Sequence, residues 1–251
     1  MNGLSLFTGI GGFELGLSEW IKPICYVEHD EFCKQIIRKR LPEAPIFSDI
    51  RSFDGTGFRG KAKVVFGGFP CQDISEAGKG KGLKGSRSGL WWEMWRVICE
   101  VRPKYVILEN VSAINRRGLS TLLGCLAKEG YDAEWGMFRA SDCEAPHQRE
   151  RFFLIAFPRG EFKLMCEQFD TKYEVHNNKK WHSTKNIKSG SEWKRWLNKV
   201  VEAVGGEISK TDFYGVDDGI SKGLDQSRIR TIGNAVCPQQ CRYAIKKLTL
   251  H

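Results

Sequence analysis

The chain has 251 residues, enough for one α/β domain with a full core and a small appended module. Its formal charge of +9 favours a polyanionic partner, nucleic acid before a membrane, and no uncharged apolar run approaches the ~18 residues of a membrane span. Nine cysteines, an odd number with no Cys-x-x-Cys spacing, argue against a disulfide framework and for reduced thiols in a cytosol, and the N-terminus lacks the pattern of a signal peptide.

Leu4–Phe7 reads as the first strand. It runs into Thr8-Gly9-Ile10-Gly11-Gly12-Phe13-Glu14, a glycine-rich turn between strand and helix. Nucleotides dock on such turns in open α/β sheets, because glycines let a ligand approach the backbone and the helix start offers free N–H groups. The spacing is not Gly-x-Gly-x-x-Gly, which weakens a dinucleotide reading. Ile24–Glu28 is the second strand, and its end places Glu28 about twenty residues beyond the first strand, where an acid typically bonds a ribose diol. Asp30–Arg40 has a helical pattern. Asp49-Ile50 ends a third strand, where a carboxylate suits an adenine amino group. The turn, Glu28 and Asp49 together favour an adenosine-type ligand over a purely structural turn.

Val64–Phe66 is an apolar strand leading into Gly67-Gly68-Phe69-Pro70-Cys71-Gln72-Asp73. A lone thiol among glycines and a proline at a strand end reads as an active-site loop, since structural cysteines more often sit inside an apolar pattern. Gly78–Gly89, rich in glycine and lysine, is a flexible loop, and Gly89–Glu100 is a helix with Leu90, Met94 and Val97 at helical spacing. The strand Tyr105–Leu108 ends in Glu109-Asn110-Val111, which puts a carboxylate on the same sheet edge as Cys71. A lone glutamate there is as often solvated or a helix cap; the shared edge with the thiol favours chemistry. Leu119–Glu129 is a helix stopped by Gly130, and Glu134–Arg139 and Phe152–Ala156 are strands. Before the last of these, extended backbone turns Arg149 and Arg151 to one face. Two guanidiniums suit a carbonyl oxygen, a phosphate or a carboxylate, the alternative being a solvated basic pair with Glu150. Strand–helix alternation over residues 1–157 predicts a mostly parallel sheet covered on both faces.

The pattern changes after Pro158: residues 159–199 hold ten Lys/Arg against five Asp/Glu, with aromatics and little apolar periodicity. Regular pattern returns after about Ser227, through Arg230-Thr231-Ile232-Gly233-Asn234-Ala235-Val236-Cys237-Pro238 into a helix over Gln239–Leu248. Taken alone, Gly233-Asn234 is an ordinary turn and cap. Cys143 and His147 are four apart, as are Cys237 and Cys241, but neither pair has a convincing second half, and no metal is expected.

Five of these places, in this order, resemble the DNA cytosine carbon-5 methyltransferases of bacterial and phage type: the Phe7-x-Gly9-x-Gly11-Gly12 turn, Gly68-Phe69-Pro70-Cys71-Gln72, Glu109-Asn110-Val111, Gln148-Arg149-x-Arg151 and Gly233-Asn234-Ala235-Val236-x-Pro238. The resemblance covers residues 3–157 and 227–247. It implies a class I S-adenosylmethionine-dependent, Rossmann-like α/β fold: a mostly parallel sheet with helices on both faces, formed by residues 1–157 and 227–251, plus a small target-recognition region over 158–226. It implies that Phe7, Gly9, Ile10, Gly11 and Gly12 line the methionine and adenine portions of S-adenosylmethionine. Glu28 would hold the ribose, Asp49 and Ile50 the adenine, with Pro70 and Leu90 beside them and Asn234 and Val236 closing the site.

By the same resemblance Cys71 adds to carbon 6 of a flipped-out cytosine, Glu109 bonds N3 and the exocyclic amine, and Arg151, supported by Arg149, bonds O2. The Gly78–Gly89 loop would close over the base. The implied partner is double-stranded DNA, with a cognate restriction endonuclease acting on the same site as a further one; the implied state is a monomer in the bacterial cytosol. A tRNA cytosine-5 methyltransferase and a non-catalytic DNA-binding relative remain the alternatives. Two positions depart from the family pattern: Ser5 stands where Asp is common, and His147 where Gln is frequent before the arginines. Trp181, Trp193, Arg195 and Trp196 give the 158–226 region a composition suited to phosphate and base contacts.

Overall fold

The computed structural model describes residues 1–70, 89–143, 148–169 and 235–250. Seven strands form one sheet: β1 (Asn2–Leu6), β2 (Lys22–Val27), β3 (Ile46–Phe47), β4 (Val64–Gly67), β5 (Tyr105–Val111), β6 (Tyr131–Arg139) and β7 (Glu150–Pro158). Their order is β3-β2-β1-β4-β5-β7-β6. The first five pair in parallel, and β7 is antiparallel to both β5 and β6. The expected mostly parallel sheet is therefore present, with one reversed strand inserted near an edge.

The helices are α1 (Gly12–Gly16), α2 (Glu31–Arg40), α3 (Leu90–Val101), α4 (Ile114–Arg117), α5 (Leu119–Lys128), α6 (Phe162–Phe169) and α7 (Pro238–Leu248). Asp30 caps α2, its carboxylate accepting the Cys33 N–H at 3.0 Å. Pro238 opens α7 at a position where its missing N–H costs nothing.

Side-chain alternation along the central strands separates two cores. Leu4, Leu6, Val65, Val106, Leu108, Phe152 and Leu154 face α3 and α5; Val64, Phe66, Tyr105, Ile107, Phe153 and Ile155 face α1, α6 and α7. Strands buried on both faces read as continuous apolar runs, which is why β4 and β7 stand out in the sequence. α6 lies in the stretch where the sequence shows little periodicity, yet Met165 and Phe169 are buried on the sheet, Phe169 edge-on to Tyr105 at 5.3 Å. The third strand is only two residues long and ends before Asp49, which sits in the irregular backbone that follows.

Candidate active site

The turn after β1 is built by backbone conformations that favour glycine. Phe7, Gly9 and Gly11 have φ of 54°, 58° and 88°, the first being an uncommon left-handed non-glycine residue. Glu28, at the end of β2, ties this turn to its neighbour: its two carboxylate oxygens accept the N–H groups of Gly9 and Asp30, each at 2.7 Å. Burial is the largest influence on Glu28 and raises its carboxyl above the ordinary value. Phe7 and Leu90, partly buried, pack against the core cluster that contains Ile50. Asp49 is half-buried and accepts the Arg51 N–H at 2.9 Å. Ile10, Gly11 and Gly12 are buried, and Pro70 is exposed at the edge of the described loop.

The C-terminal segment returns to this turn. A Cβ on Gly12 would collide with the Val236 carbonyl, and one on Gly16 would stand 2.7 Å from the Pro238 carbonyl. Gly12→Ala is therefore expected to lower stability by about 1–3 kcal/mol and to weaken ligand binding at the turn. Thermal unfolding and a binding titration check this, and unchanged values for both would show that the two segments do not need this contact.

A second cluster forms where β4 and β5 end. Glu109 is 8% exposed, and its Oε1 lies 3.2 Å from Arg151 Nε. Burial raises the Glu109 carboxyl, opposed by the charges of Arg151 and Arg149. A Cβ on Gly68 would stand 2.7 Å from Glu109 Oε2, so a glycine is needed for the loop to approach the acid. The Asn110 amide donates to the Phe69 carbonyl at 3.1 Å, and the Phe69 ring packs on Trp91 at 5.4 Å. The loop that leads to Cys71 is thus anchored up to Pro70 against the acid. Cys71 itself lies outside the described residues, as do Asn234, His147, residues 78–88 of the lysine-rich loop and the tryptophans of the 158–226 region.

The two arginines divide their contacts. Arg151 reaches Glu109, whereas Arg149 Nη2 donates to the Ala235 carbonyl at 2.8 Å. Gln240 adds a second clasp, its amide lying 2.8 Å from both the Phe138 and the Arg149 carbonyls. Arg149 therefore holds the C-terminal segment while still acting electrostatically on Glu109. Sequence reasoning singled out neither Asn110 alone nor Gln240; an amide inside the apolar face of a terminal helix was the available signal for the latter. Of the cysteine pairs, the Cys143 thiol donates to the Ala140 carbonyl at 3.0 Å, while the sulfur of Cys241 is turned toward Gly16.

Beneath the glycine turn lies Glu14, 4% exposed, hydrogen-bonded by the Ser5 hydroxyl. Burial pushes its carboxyl up to about 7. The folded protein keeps a proton that the unfolded chain surrenders near 4.5, so stability is expected to fall as pH rises between about 4.5 and about 7. The total is about 3 kcal/mol. Chemical denaturation across that window checks it, and Glu14→Gln is expected to flatten the profile.

The profile of the family described as C-5 cytosine-specific DNA methylase matches residues 1–211. The Type II methyltransferase M.CviJI of Paramecium bursaria Chlorella virus IL3A is 31% identical over 179 residues, 70% of this chain and 48% of that protein. M.PspPI of Psychrobacter is 35% identical over 180 residues, 68% of this chain and 43% of the relative; for M.HhaI of Haemophilus parahaemolyticus the figures are 29% over 178 residues, 69% and 54%. The chain spans about half the length of these relatives. Among solved structures, the S. pombe Dnmt2 methyltransferase superposes with a TM-score of 0.63 at 15% identity, covering 99% of this chain and 98% of that one. Entamoeba histolytica EhMeth gives 0.63 at 15% identity, with 98% and 96% covered. At these identities the superpositions establish a shared fold, and the profile match over residues 1–211 establishes descent: the chain belongs to the C-5 cytosine-specific DNA methylase family.

Proposed function

We propose that this chain transfers the methyl group of S-adenosylmethionine to carbon 5 of cytosine in double-stranded DNA, through a covalent Cys71 adduct at carbon 6 of a flipped-out base. The observation that carries this reading is the Glu109–Arg151 pair beside the Gly68–Pro70 loop, on the sheet edge that also holds the glycine turn. A carboxyl raised by burial and a guanidinium within ion-pair distance suit a pyrimidine that must gain a proton at one atom and spread charge onto another.

The turn fits the cofactor. Gly9 has open space where a side chain would stand, Glu28 keeps lone pairs for a ribose diol, and Phe7, Ile50 and Leu90 supply an apolar wall for adenine. When bound, S-adenosylmethionine supplies an electrophilic methyl group on a sulfonium. Cytosine carbon 5 is a poor nucleophile; addition of the Cys71 thiolate to carbon 6 makes it enamine-like, with Glu109 placing a proton on N3 and Arg151 bonding O2. After methylation, the carbon-5 proton is lost to solvent, the Cys71 thiolate is eliminated and the N3 proton returns to Glu109, which restores the neutral aromatic ring. Residues 158–226 are the proposed reader of DNA sequence, and the net charge of +9 suits the phosphate backbone.

The test is transfer of tritium from methyl-labelled cofactor to duplex DNA, with tRNA as a parallel substrate. Label is expected in duplex DNA as 5-methylcytosine. Absence of label there, with cofactor bound, overturns the reading, and label confined to tRNA replaces DNA with RNA as the substrate.

A further inference from the structure

Glu14 is the one acid at the glycine turn that the proposed chemistry leaves unused. Its side chain runs back from α1 to β1. There Thr8 Oγ1 lies 2.8 Å from Ser5 Oγ, and the Ser5 hydroxyl donates to Glu14 Oε1. With Ser5 giving its proton to the acid, the Thr8 hydroxyl is the donor of the first bond, so a two-step relay points at one carboxyl oxygen. The other oxygen, Oε2, is buried and has no hydrogen-bond partner among the described residues. It lies beside the turn: a Cβ on Gly11 would stand 3.8 Å from it, on the side where the Leu41 side chain also packs. Native proteins seldom leave a buried carboxyl oxygen unmatched, and such a group at a binding turn points to a partner that arrives with the ligand.

The surroundings specify the charge of that partner. Glu28, at the end of β2, repels a negative Glu14. The Tyr26 phenol from β2 and the Cys241 thiol from α7 also feel Glu14, and each becomes negative if it ionises. The leading influences on Glu14 are burial, hydrogen bonds from Ser5 and the backbone, and the charge of Glu28, none of them a cation. Burial is the dominant influence and pushes its carboxyl up to about 7. The neutral form is therefore the resting form below neutrality. S-adenosylmethionine carries two cationic groups, an α-ammonium and a sulfonium, and the demethylated product keeps only the first.

We propose that Glu14 is the counter-charge for the cationic end of the cofactor, holding a proton in the free protein and releasing it as S-adenosylmethionine docks on the glycine turn. The inference rests on the reading that this turn takes that cofactor. It makes Glu14 a binding residue whose ionisation couples occupancy to pH. The balance is simple: one O–H bond of the carboxylic acid is lost to solvent as a proton, and an ion pair to the ligand replaces it.

Isothermal titration calorimetry of S-adenosylmethionine, repeated in buffers of different ionisation enthalpy, reads the protons exchanged on binding. For wild type at a pH about half a unit below the Glu14 value, release of most of one proton is expected, vanishing more than one unit above it. Glu14→Gln is expected to bind with about tenfold weaker affinity above neutrality and to release correspondingly fewer protons. The wild-type pH dependence stands on its own if that variant does not fold. S-adenosylhomocysteine separates the two cations: proton release with both ligands identifies the ammonium as partner, and release with S-adenosylmethionine alone identifies the sulfonium. Binding with equal proton counts at both pH values, or equal counts in wild type and Glu14→Gln, overturns the inference alone. A wild-type protein that binds no cofactor overturns the cofactor reading and this inference with it.

Discussion

Cys71→Ala is expected to lower methyl transfer to DNA by on the order of 10⁴-fold or more while leaving cofactor affinity unchanged. The reason is electronic. Carbon 5 of an aromatic cytosine does not attack a methylsulfonium at a useful rate, and only addition at carbon 6 breaks the aromaticity that holds its electrons. Glu109 and Arg151 can polarise the ring, yet neither can form that bond. The described loop supports the assignment up to the preceding residue, because Asn110 and Trp91 hold Phe69 and bring Gly68 against Glu109. Single-turnover transfer from labelled cofactor, beside a cofactor titration of the same preparation, is the measurement. More than a tenth of wild-type transfer in the alanine variant would rule out the covalent route.

Glu109→Gln is expected to cost about 10²–10⁴-fold in turnover, the usual share of a positioned general acid. Glutamine preserves the size of the side chain and its capacity to accept from Arg151, but it cannot deliver a proton to N3. The pH profile distinguishes this from a folding defect. Burial holds the wild-type carboxyl above the ordinary value despite Arg151 at 3.2 Å, so it stays protonated further up the pH scale than a solvated glutamate. Turnover by wild type should fall as pH climbs past that raised value, and the variant should lack this limb. A variant that keeps both the rate and the limb would move the proton donor elsewhere.

Much of the architecture is legible in the residues. The centres of β1, β2, β4, β5 and β7 are apolar because both their faces are covered, and runs such as Val64-Val65-Phe66 announce that directly. The ends are less visible. β5 continues through Asn110 and Val111, and β6 begins at Tyr131, because ladder hydrogen bonds to β7 hold polar residues in extended form. α6 escapes notice for a related reason. Only Met165 and Phe169 are fully buried in it, too few for a clear period, and the sheet face beneath supplies the rest.

The site shows the same division. Glycine at positions 9, 11 and 12, the acids at strand ends and the Arg-x-Arg pair are local chemical requirements, and local requirements are written in order along the chain. The sequence by itself therefore determined the family, the type of sheet and the residues proposed for cofactor and base. Only the tertiary structure decided who meets whom. β7 lies beside β5, so Arg151 reaches Glu109; α7 folds back onto α1, so the Val236 carbonyl fills the space a Gly12 side chain would need. Arg149 gives its hydrogen bond to Ala235, and Glu14 ends beneath the turn with one oxygen unmatched. Such pairings depend on strand order and on which buried donor finds which acceptor, and hydrophobic periodicity carries no record of either.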